Sequence, residues 1–430
     1  MDALAGWGVK ATEPALHSQG GQGVLGLFSP STHYRESRMQ SEHQKAHEGP
    51  DGTHVVLVLQ GGGSLGAYHL GVYQALAEKN LHPHWVSGIS IGAFTAAVLA
   101  GNPPERRVER LQEFWREVSW PGEAGGWLPA PLRRVANMAS HATSLLFGQP
   151  HFFAPRWISP LVAAEGTQDA LSFYTTTPMR STLQRLVDFE YLSKRETRLS
   201  VGAARLKDGE LVFFDNTRDR IGPEHVLASG SLPPAFPPTR INGELYWDGG
   251  CVTNTPLNAI LEEPFDRPAL IFMIDLFNKE GPEPRSMDDV NWRAKSIQFA
   301  SRTSHHLKHA ARIHNMTQRL ARERGGAQSF SSDGRNAPPR KDIVHLVYRR
   351  DADQIADSDA EFSRWSIEER RRHGYRDMKR VLELAPWKRA PSSNMAPASF
   401  SDSGLQPHES DMLVHTAESG RQEIATDLHV

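Results

Sequence analysis

The sequence has little of what disulfides, membrane spans and secretion require. Its 430 residues include one cysteine, Cys251, which cannot form an intramolecular disulfide or a cysteine-rich zinc site and is expected in core packing. No segment approaches the roughly 18 consecutive apolar residues of a spanning helix. The N-terminus lacks the basic region and apolar run of a signal peptide. These absences predict a cytoplasmic protein.

The chain also lacks an excess of positive charge. Its formal net charge is −2, and no stripe of aromatic residues alternates with Lys and Arg. Because binding to nucleic acid depends on a basic surface, we expect no nucleic-acid partner.

Both ends of the chain lack a sustained apolar period. Residues 1–52 are rich in Gly, Ser, His and Gln, and residues 388–430 have a similar composition. Such segments bury too little apolar surface to offset the entropy of ordering. The sequence therefore predicts disordered ends around a folded part over residues 53–387.

Within the folded part, strands are followed by glycine-containing turns and helices. His54–Gln60 is typical of a parallel strand buried on both faces, and a helix is predicted over 67–79. A second strand in HPHWVSGISIGAF, residues 82–94, precedes a helix that continues through Ala100. Repeated β-loop-α units predict an α/β fold with a central, mostly parallel sheet.

Further elements are predicted beyond these two units. They are a helix over 104–118, a hairpin over 198–215, a buried strand over 270–276, a helix over 293–324 and a last helix begun by a capping box of Ser366 and Glu369.

Residues 120–170 have a different pattern. Large apolar side chains lie there among prolines and glycines without a long helical period. The pattern predicts either ordinary packing of loops and short helices, or a lid or lipid-facing lip.

Three glycines after the first strand, Gly61, Gly63 and Gly66, match the G-x-G-x-x-G spacing of dinucleotide-binding loops. In those proteins an acidic residue about 20 positions later binds the ribose. The second strand of this chain ends without an acidic residue. We therefore expect no nucleotide at this loop.

The second strand ends in Gly88-Ile89-Ser90-Ile91-Gly92, a G-x-S-x-G motif. Between a strand and a helix this motif is typical of a nucleophile elbow, in which the turn projects Ser90 and its flanking glycines avoid clashes. The helix that begins at Ile91 directs N–H groups and its positive end to the same place. The alternative is a simple turn, but the flanking elements favour Ser90 as a nucleophile.

A serine that attacks an ester generates an oxyanion, which needs hydrogen-bond donors already in position. Consecutive glycines at a helix start present backbone N–H groups that no side chain obstructs. The glycine loop, residues 61–66, is therefore predicted to bind the oxyanion. The candidate residues, with the start of the following elbow helix, are Gly61, Gly62, Gly63, Ser64, Gly66 and Ile91.

A carboxylate follows a short strand in Trp247-Asp248-Gly249-Gly250. Gly249 and Gly250 permit an unusual backbone path and the close approach of another loop. An isolated Asp-Gly pair is usually just a turn. Beside a nucleophile elbow and an oxyanion loop, Asp248 is the best candidate for the general base.

Together these motifs resemble the patatin-like phospholipase family. G-G-G-x-x-G is present at 61–66, G-x-S-x-G at 88–92 and D-G-[GA] at 248–250, and the resemblance covers residues 54–280. It implies a three-layer α/β/α domain over 53–280 and a lipid acyl hydrolase with a Ser90-Asp248 dyad, without histidine, cofactor or metal. Many members have Arg or Lys where this chain has Leu65, so cationic binding of an anionic head group is in doubt.

Residues 281–387 are expected to form a mainly helical C-terminal extension. NWRAKSIQFASRT and DAEFSRWSIEERRRHGYRDM within it resemble an extension of uncharacterised role in one bacterial branch of patatin-like proteins. This second resemblance implies a bacterial enzyme but says little about its substrate, whereas the motifs at 61–66, 88–92 and 248–250 imply that it acts on a lipid or another acyl ester.

The sequence leaves open three alternatives to a Ser-Asp dyad: a histidine triad, a metal site and a non-catalytic scaffold. His305, His306 or His309 follow Asp248 in the order of a Ser-acid-His triad, but they lie in a basic stretch without a third metal ligand or an HExxH motif. A non-catalytic scaffold is disfavoured because both Ser90 and Asp248 are present.

The basic helix offers a further hypothesis, peripheral contact with an anionic membrane surface. It would use a partly apolar face of Ile297, Leu307, Ala311 and Ile313. A solvated helix with one face against the core is the simpler interpretation.

Overall fold

The computed structural model describes residues 52–120, 128–324, 339, 341–350, 354–388 and 399–401. The chain divides into two compact units, Met1–Ala46 and His47–Val430. The first unit lies outside the described residues, as do nearly all of the predicted N-terminal segment and most of residues 388–430. The description below concerns the second unit.

The described residues form a nine-stranded sheet with one antiparallel end. Its order is β11-β10-β9-β1-β2-β5-β8-β7, and β6 also pairs with β5. All neighbours from β11 to β5 are parallel, whereas β6, β7 and β8 pair antiparallel. The strands are β1 His54–Leu59, β2 Trp85–Ile89, β5 Arg198–Arg205, β6 Leu211–Asp215, β7 Thr239–Ile241, β8 Glu244–Asp248, β9 Ala269–Asp275, β10 Lys341–Val347 and β11 Ser399–Ser401; β3 Ala154–Pro155 and β4 Tyr174–Thr175 pair separately.

Helices cover both faces of this sheet. They are α1 Ala67–Glu78, α2 Ile91–Ala100, α3 Pro104–Glu117, α4 Ala130–Phe147, α5 Thr177–Leu186, α6 Phe189–Ser193, α7 Pro223–Ser229, α8 Leu257–Glu262, α9 Met287–Arg324 and α10 Arg364–Leu384. Alternate residues of β1 belong to two separate apolar clusters, one with α1, α2 and α10 and the other with α8. Because successive strand residues face opposite sides, the sheet is buried on both faces. The predicted α/β class with a mostly parallel central sheet is confirmed.

The C-terminal extension completes this sheet. Strand β10 pairs with β9 along seven residues, a strand that the expectation of a mainly helical extension did not include. Helix α10 packs against α1, where a Cβ on Gly71 would overlap the Arg371 carbonyl and one on Gly374 would overlap the Tyr68 carbonyl. Two glycines therefore permit the close crossing of these helices.

Several local expectations differ from the structure. The last helix begins after Ser363, whose Oγ accepts a hydrogen bond from the Ser366 N–H, so the predicted capping box at Ser366 is wrong. Buried Ser366 lies inside the helix. Cys251 is exposed, so the expectation that it packs in the core is wrong. In the predicted tail, Ser399–Ser401 forms β11, because its backbone pairs with β10.

The insertion at 120–170 is more regular than its sequence indicates. Helix α4 occupies Ala130–Phe147, and residues 121–127 lie outside the described residues. The apolar face expected on the basic helix is divided, since Leu307 packs against the core whereas Ile297 and Ile313 are exposed. The side chain of Ala311 is outside the described set. Within the described ranges, no helix has the length and apolarity needed to cross a membrane.

Candidate active site

Ser90 occupies a sharp turn between β2 and α2. Its φ of 55° and ψ of −127° lie in a region that non-glycine residues rarely adopt. The Ser90 N–H donates to Ser229 Oγ at 3.0 Å, and this hydroxyl donates to the Gly202 carbonyl at 2.6 Å. These contacts hold the strained backbone in place.

The motif glycines around Ser90 allow three backbones to meet. A Cβ on Gly88 would overlap the Gly92 carbonyl, and one on Gly92 would overlap the carbonyl of Leu59 at the end of β1. Gly88 and Gly92 therefore serve the packing of the elbow rather than contact with a ligand.

Asp248 reaches Ser90 through their common neighbour β5. Gly202 of β5 pairs with Ile89, the residue before Ser90, and the next residue, Ala203, pairs with Asp248. The turn after β2 and the end of β8 consequently meet, so that Ser90 and Asp248 line the same cavity and the Ser90 hydroxyl lowers the pKa of the Asp248 carboxyl. A Cβ on Gly249 would lie 2.7 Å from the Gly202 carbonyl oxygen, so glycine is required for this approach.

The Asp248 carboxylate is 1% exposed. Burial raises its pKa to about 7, against the opposing effect of hydrogen bonds from Ser90 and from the Gly250 N–H, which lies 2.7 Å from Oδ1. The Asp248 N–H donates to the Ser231 carbonyl at 2.9 Å. A carboxyl with this pKa can accept and return a proton near neutral pH.

The glycine loop lies beside the Ser90 side chain. Asn254 makes two hydrogen bonds to Gly61. The backbone carbonyl of Asn254 accepts the Gly61 N–H at 3.1 Å, and the side-chain Nδ2 donates to the Gly61 carbonyl at 2.8 Å. A Cβ on Gly61 would lie 2.9 Å from Ser90 Cβ. The structure thus brings the loop and the elbow together as the sequence predicts.

Two helix starts contribute residues to the wall of the cavity. A 3-10 turn begins at Gly63, and α2 begins at Ile91. The first N–H groups of a helix have no acceptor within it, and Gly62, Gly63 and Ile91 all line the cavity that contains Ser90 and Asp248.

The predicted site residues divide into two sets. Lining the cavity are Gly62, Gly63, Ser90, Ile91, Asp248 and Gly250. Packed behind it are Gly61, Ser64, Gly66, Gly88, Gly92 and Gly249. Ser64 is the main departure, because its hydroxyl donates to the Ser358 carbonyl and it does not line the cavity.

The cavity is about 180 Å³ and its walls are mostly apolar. Tyr174, Leu145 and Leu232 line it together with seven phenylalanines, which are Phe94, Phe152, Phe153, Phe236, Phe277, Phe299 and Phe362. Such a surface suits a hydrocarbon chain, with the polar reacting groups at one end.

Sequence reasoning missed several supporting residues. Ser229 and Asn254 hold the elbow and the glycine loop, and Asp359 and Phe362 of the C-terminal extension line the cavity. Asn254 lies six positions after Asp248 in the glycine-containing segment, which was a usable signal. Ser229 and the extension residues carry no local signal because they act across long chain separations.

Two family models match this chain. A model described as patatin-like phospholipase matches residues 57–261, and one described as patatin phospholipase, DUF3734, matches residues 297–394. The second match includes most of the C-terminal extension.

The curated relatives are much longer proteins, and this chain matches only a small part of each. Patatin-like phospholipase domain-containing protein 6 of Mus musculus is 28% identical over 207 residues, 48% of this chain and 12% of that protein. Lysophospholipase NTE1 of Saccharomyces cerevisiae is 24% identical over 251 residues, 55% of this chain and 12% of that protein. Triacylglycerol lipase SDP1L of Arabidopsis thaliana is 34% identical over 91 residues, 20% of this chain and 11% of that protein.

Among solved structures, VipD from Legionella pneumophila is 14% identical, with a TM-score of 0.36 over 78% of this chain and 67% of that chain. The mostly parallel sheet of this chain brings the serine of G-x-S-x-G and the aspartate of D-G-G to the wall of one cavity. With both family models in agreement, the chain belongs to the patatin-like phospholipase family.

Proposed function

We propose that this protein is a lipid acyl hydrolase that cleaves fatty-acyl esters with Ser90 and Asp248. The main support is that the strained Ser90 and a buried carboxyl, whose pKa is raised to about 7, lie together in the wall of one apolar cavity. Family membership and the printed names of the relatives agree with this chemistry.

The proposed reaction proceeds in two halves. Ser90 Oγ attacks the ester carbonyl while the Asp248 carboxylate takes its proton, and N–H groups of Gly62, Gly63 and Ile91 stabilise the oxyanion. The carbonyl re-forms as the C–O bond to the alcohol breaks, and protonated Asp248 gives its proton to the leaving oxygen. Water then attacks the acyl-enzyme by the same route and releases the fatty acid.

A histidine-dependent mechanism fits the geometry less well. No histidine lines the cavity within the described parts of the chain. Helix α9 reaches the cavity at Phe299, and His305 and His309 follow six and ten residues later, roughly 9 and 15 Å along a helix. Both are exposed.

The substrate class follows from the walls of the cavity. Leu65 is fully buried, and no Lys or Arg is among the cavity-lining residues that the structure describes. The site therefore offers an apolar surface to the acyl chain and no cation to a phosphate. We propose that the acyl chain, more than the head group, determines binding.

We propose that the membrane contact uses exposed apolar residues, two of which belong to the cavity wall, rather than the basic helix. These residues, the apolar rim, lie at the end of α4 and in two later loops, namely Leu145, Leu146, Phe147, Trp157, Leu161, Phe173 and Leu232. Leu145 and Leu232 also line the cavity. Arg156, beside Trp157, is paired with Asp169, so apolar insertion is favoured over attraction to anionic lipid.

The rim can be tested apart from catalysis. Flotation with phosphatidylcholine vesicles should recover the wild-type protein at both low and high salt. The triple variant Leu146→Ser, Phe147→Ser, Trp157→Ser should lose vesicle binding and keep hydrolysis of a soluble ester. Binding that requires anionic lipid and disappears in salt would instead assign the contact to α9.

The hydrolase itself is tested by covalent labelling. A fluorophosphonate should abolish hydrolysis of a p-nitrophenyl ester and modify Ser90, as located by mass spectrometry. Lipid profiling of cells with wild type or Ser90→Ala would identify the natural substrate class. A folded protein with neither labelling nor turnover would support the scaffold alternative.

We also propose a cytoplasmic location, which cell fractionation would test.

A further inference from the structure

The glycine loop is bound to the C-terminal extension by a buried arginine. Arg370 of α10 is fully buried and donates from Nη1 to Ser64 Oγ at 2.7 Å. The Ser64 hydroxyl in turn donates to the Ser358 carbonyl at 2.6 Å. Two residues separated by 306 positions therefore meet directly behind the predicted oxyanion donors.

The same guanidinium also binds the wall segment, residues 358–362, of which Asp359, Ala360 and Phe362 line the cavity. Arg370 donates to the carbonyl oxygens of Glu361 and Ser358 at 2.9 and 3.1 Å, and it pairs with Glu361 Oε2 at 3.4 Å. Glu361 is 1% exposed. The planar fork of arginine can hold several acceptors in fixed directions, whereas a buried ion pair by itself is weak evidence for stability.

The wall segment touches the glycine loop at its most constrained residue. Gly63 has a φ of 54°, and a Cβ there would overlap the Asp359 carbonyl. Helix α9 fixes this segment from the other side, because Lys295 Nζ lies 2.9 Å from carboxylate oxygens of both Asp357 and Asp359. The loop is thus held between its own helix and the extension.

We propose that Arg370 is a positioning residue, through which the C-terminal extension keeps the N–H groups of Gly62 and Gly63 directed at the reacting carbonyl. This inference rests on the proposed hydrolase function. Glycines have the largest conformational freedom in the unfolded and loosened states, and oxyanion donors act best when they are fixed before the reaction. The arginine provides that fixation without touching substrate.

The test compares four variants on a soluble ester. Arg370→Met removes the contact to Ser64, and Arg370→Lys restores one or two of its hydrogen bonds. The double variant Arg370→Met, Glu361→Gln also removes the unpaired buried carboxylate, which could otherwise unfold the protein. Arg371→Met is the matched control, because Arg371 lies on the same helix as Arg370 and bonds Glu368 of α10 and Gln74 of α1 but not the glycine loop.

The expected effect is on turnover rather than on binding. Arg370→Met should lower kcat per fluorophosphonate-titrated site by roughly 10- to 100-fold with little change in KM, as for misplaced oxyanion donors. Arg370→Lys should recover part of kcat. The double variant should regain thermal stability but not turnover, and Arg371→Met should keep wild-type kcat.

Hydrogen exchange provides a measurement independent of catalysis. Amides in residues 60–68 should exchange faster in the folded double variant than in wild type, while those in residues 85–95 should not change. Wild-type kcat in the double variant, an equal loss in Arg371→Met, an effect on KM alone or unchanged exchange in residues 60–68 would overturn the proposal. An inactive wild type would reject the hydrolase, and the exchange experiment would still decide the role of Arg370.

Discussion

Two buried carboxylates lie on strands that pair with opposite ends of β5, and their pKa values are shifted in opposite directions. Near the amino end, Asp215 of β6 pairs with Ser200, and near the carboxyl end Asp248 of β8 pairs with Ala203. Their exposed fractions are similar, 2% and 1%. Burial alone would raise both pKa values, yet the pKa of Asp215 is lowered and that of Asp248 is raised to about 7.

The number and charge of the donors account for this difference. Asp215 accepts hydrogen bonds from Arg198, Ser200 and Thr217, at 2.8, 2.7 and 2.6 Å from the side chains. Asp248 accepts from the Gly250 N–H, its pKa is also lowered by Ser90, and no cation is among the groups that shift it. A buried carboxylate surrounded by donors is structural, whereas one with few donors is available for proton transfer.

The largest expected effect is the difference between Asp248→Asn and Asp215→Asn. An amide cannot accept the proton of Ser90, so Asp248→Asn should lower kcat by about 10³-fold or more, similar to Ser90→Ala. Asp215→Asn should destabilise folding by about 1–3 kcal/mol through its unpaired partners and retain turnover per folded molecule. Ester hydrolysis and chemical unfolding would measure both, and equal losses of kcat would remove the distinction.

The second effect is a pH dependence that belongs to Asp248 alone. Only the carboxylate form can take the proton from Ser90, so kcat/KM should fall about tenfold per pH unit below about 7 and level off above it. Fatty-acid release measured by mass spectrometry avoids the ionisation of nitrophenol. A profile that stays flat down to pH 5 would exclude a base with this pKa.

A third, smaller effect is the pH dependence of the free energy of unfolding, to which Asp248 and Asp215 should contribute with opposite signs. Asp248 has a raised pKa, so its contribution to stability is complete below about pH 4 and is lost as pH rises to about 7. Asp215 has a lowered pKa, so its contribution is complete above about pH 4 and is lost as pH falls further.

Melting temperatures from about pH 2.5 to 7.5 would measure that third effect. Relative to wild type, Asp248→Asn should become more stable from pH 4 to 7.5. Asp215→Asn should be equally destabilised from neutral pH down to about pH 4 and less so below it. The same trend in both variants would contradict the contrast in their environments.

The smallest expected effect concerns the alternative base. If Asp248 is sufficient, alanine at His305, His306 and His309 together should change kcat by no more than about twofold. Circular dichroism would check the fold of this triple variant. A loss of about 10³-fold in a folded protein would indicate a histidine-dependent triad.

Residues with local signatures were predicted well. The strand ending at Ile89 and the helix beginning at Ile91 are present as expected, because apolar runs and glycine turns determine these elements over a few residues. Asp248 ends its strand for the same reason. The sequence did not predict how Ser90 and Asp248 come close together, because their proximity depends on the pairing of β2 and β8 with Gly202 and Ala203 of β5.

Other features escaped prediction for identifiable reasons. The cap of the last helix was misplaced because Ser363 and Ser366 both fit a cap, and only the burial of Ser366 separates them. Arg370 looks like one of several arginines in RWSIEERRRHGYRDM. Its contact with Ser64 spans 306 residues, and no local pattern encodes a contact over that distance.

The pairing of β10 with β9 has a practical consequence for dividing the chain. A fragment that stops at residue 280, where the catalytic segment was expected to end, would expose one whole side of β9. That strand is ALIFMID, fully buried in the intact protein, and it would become a long apolar edge able to recruit the strands of other molecules. Such a fragment should aggregate on expression, whereas one that continues through β10 and α10 keeps this edge covered.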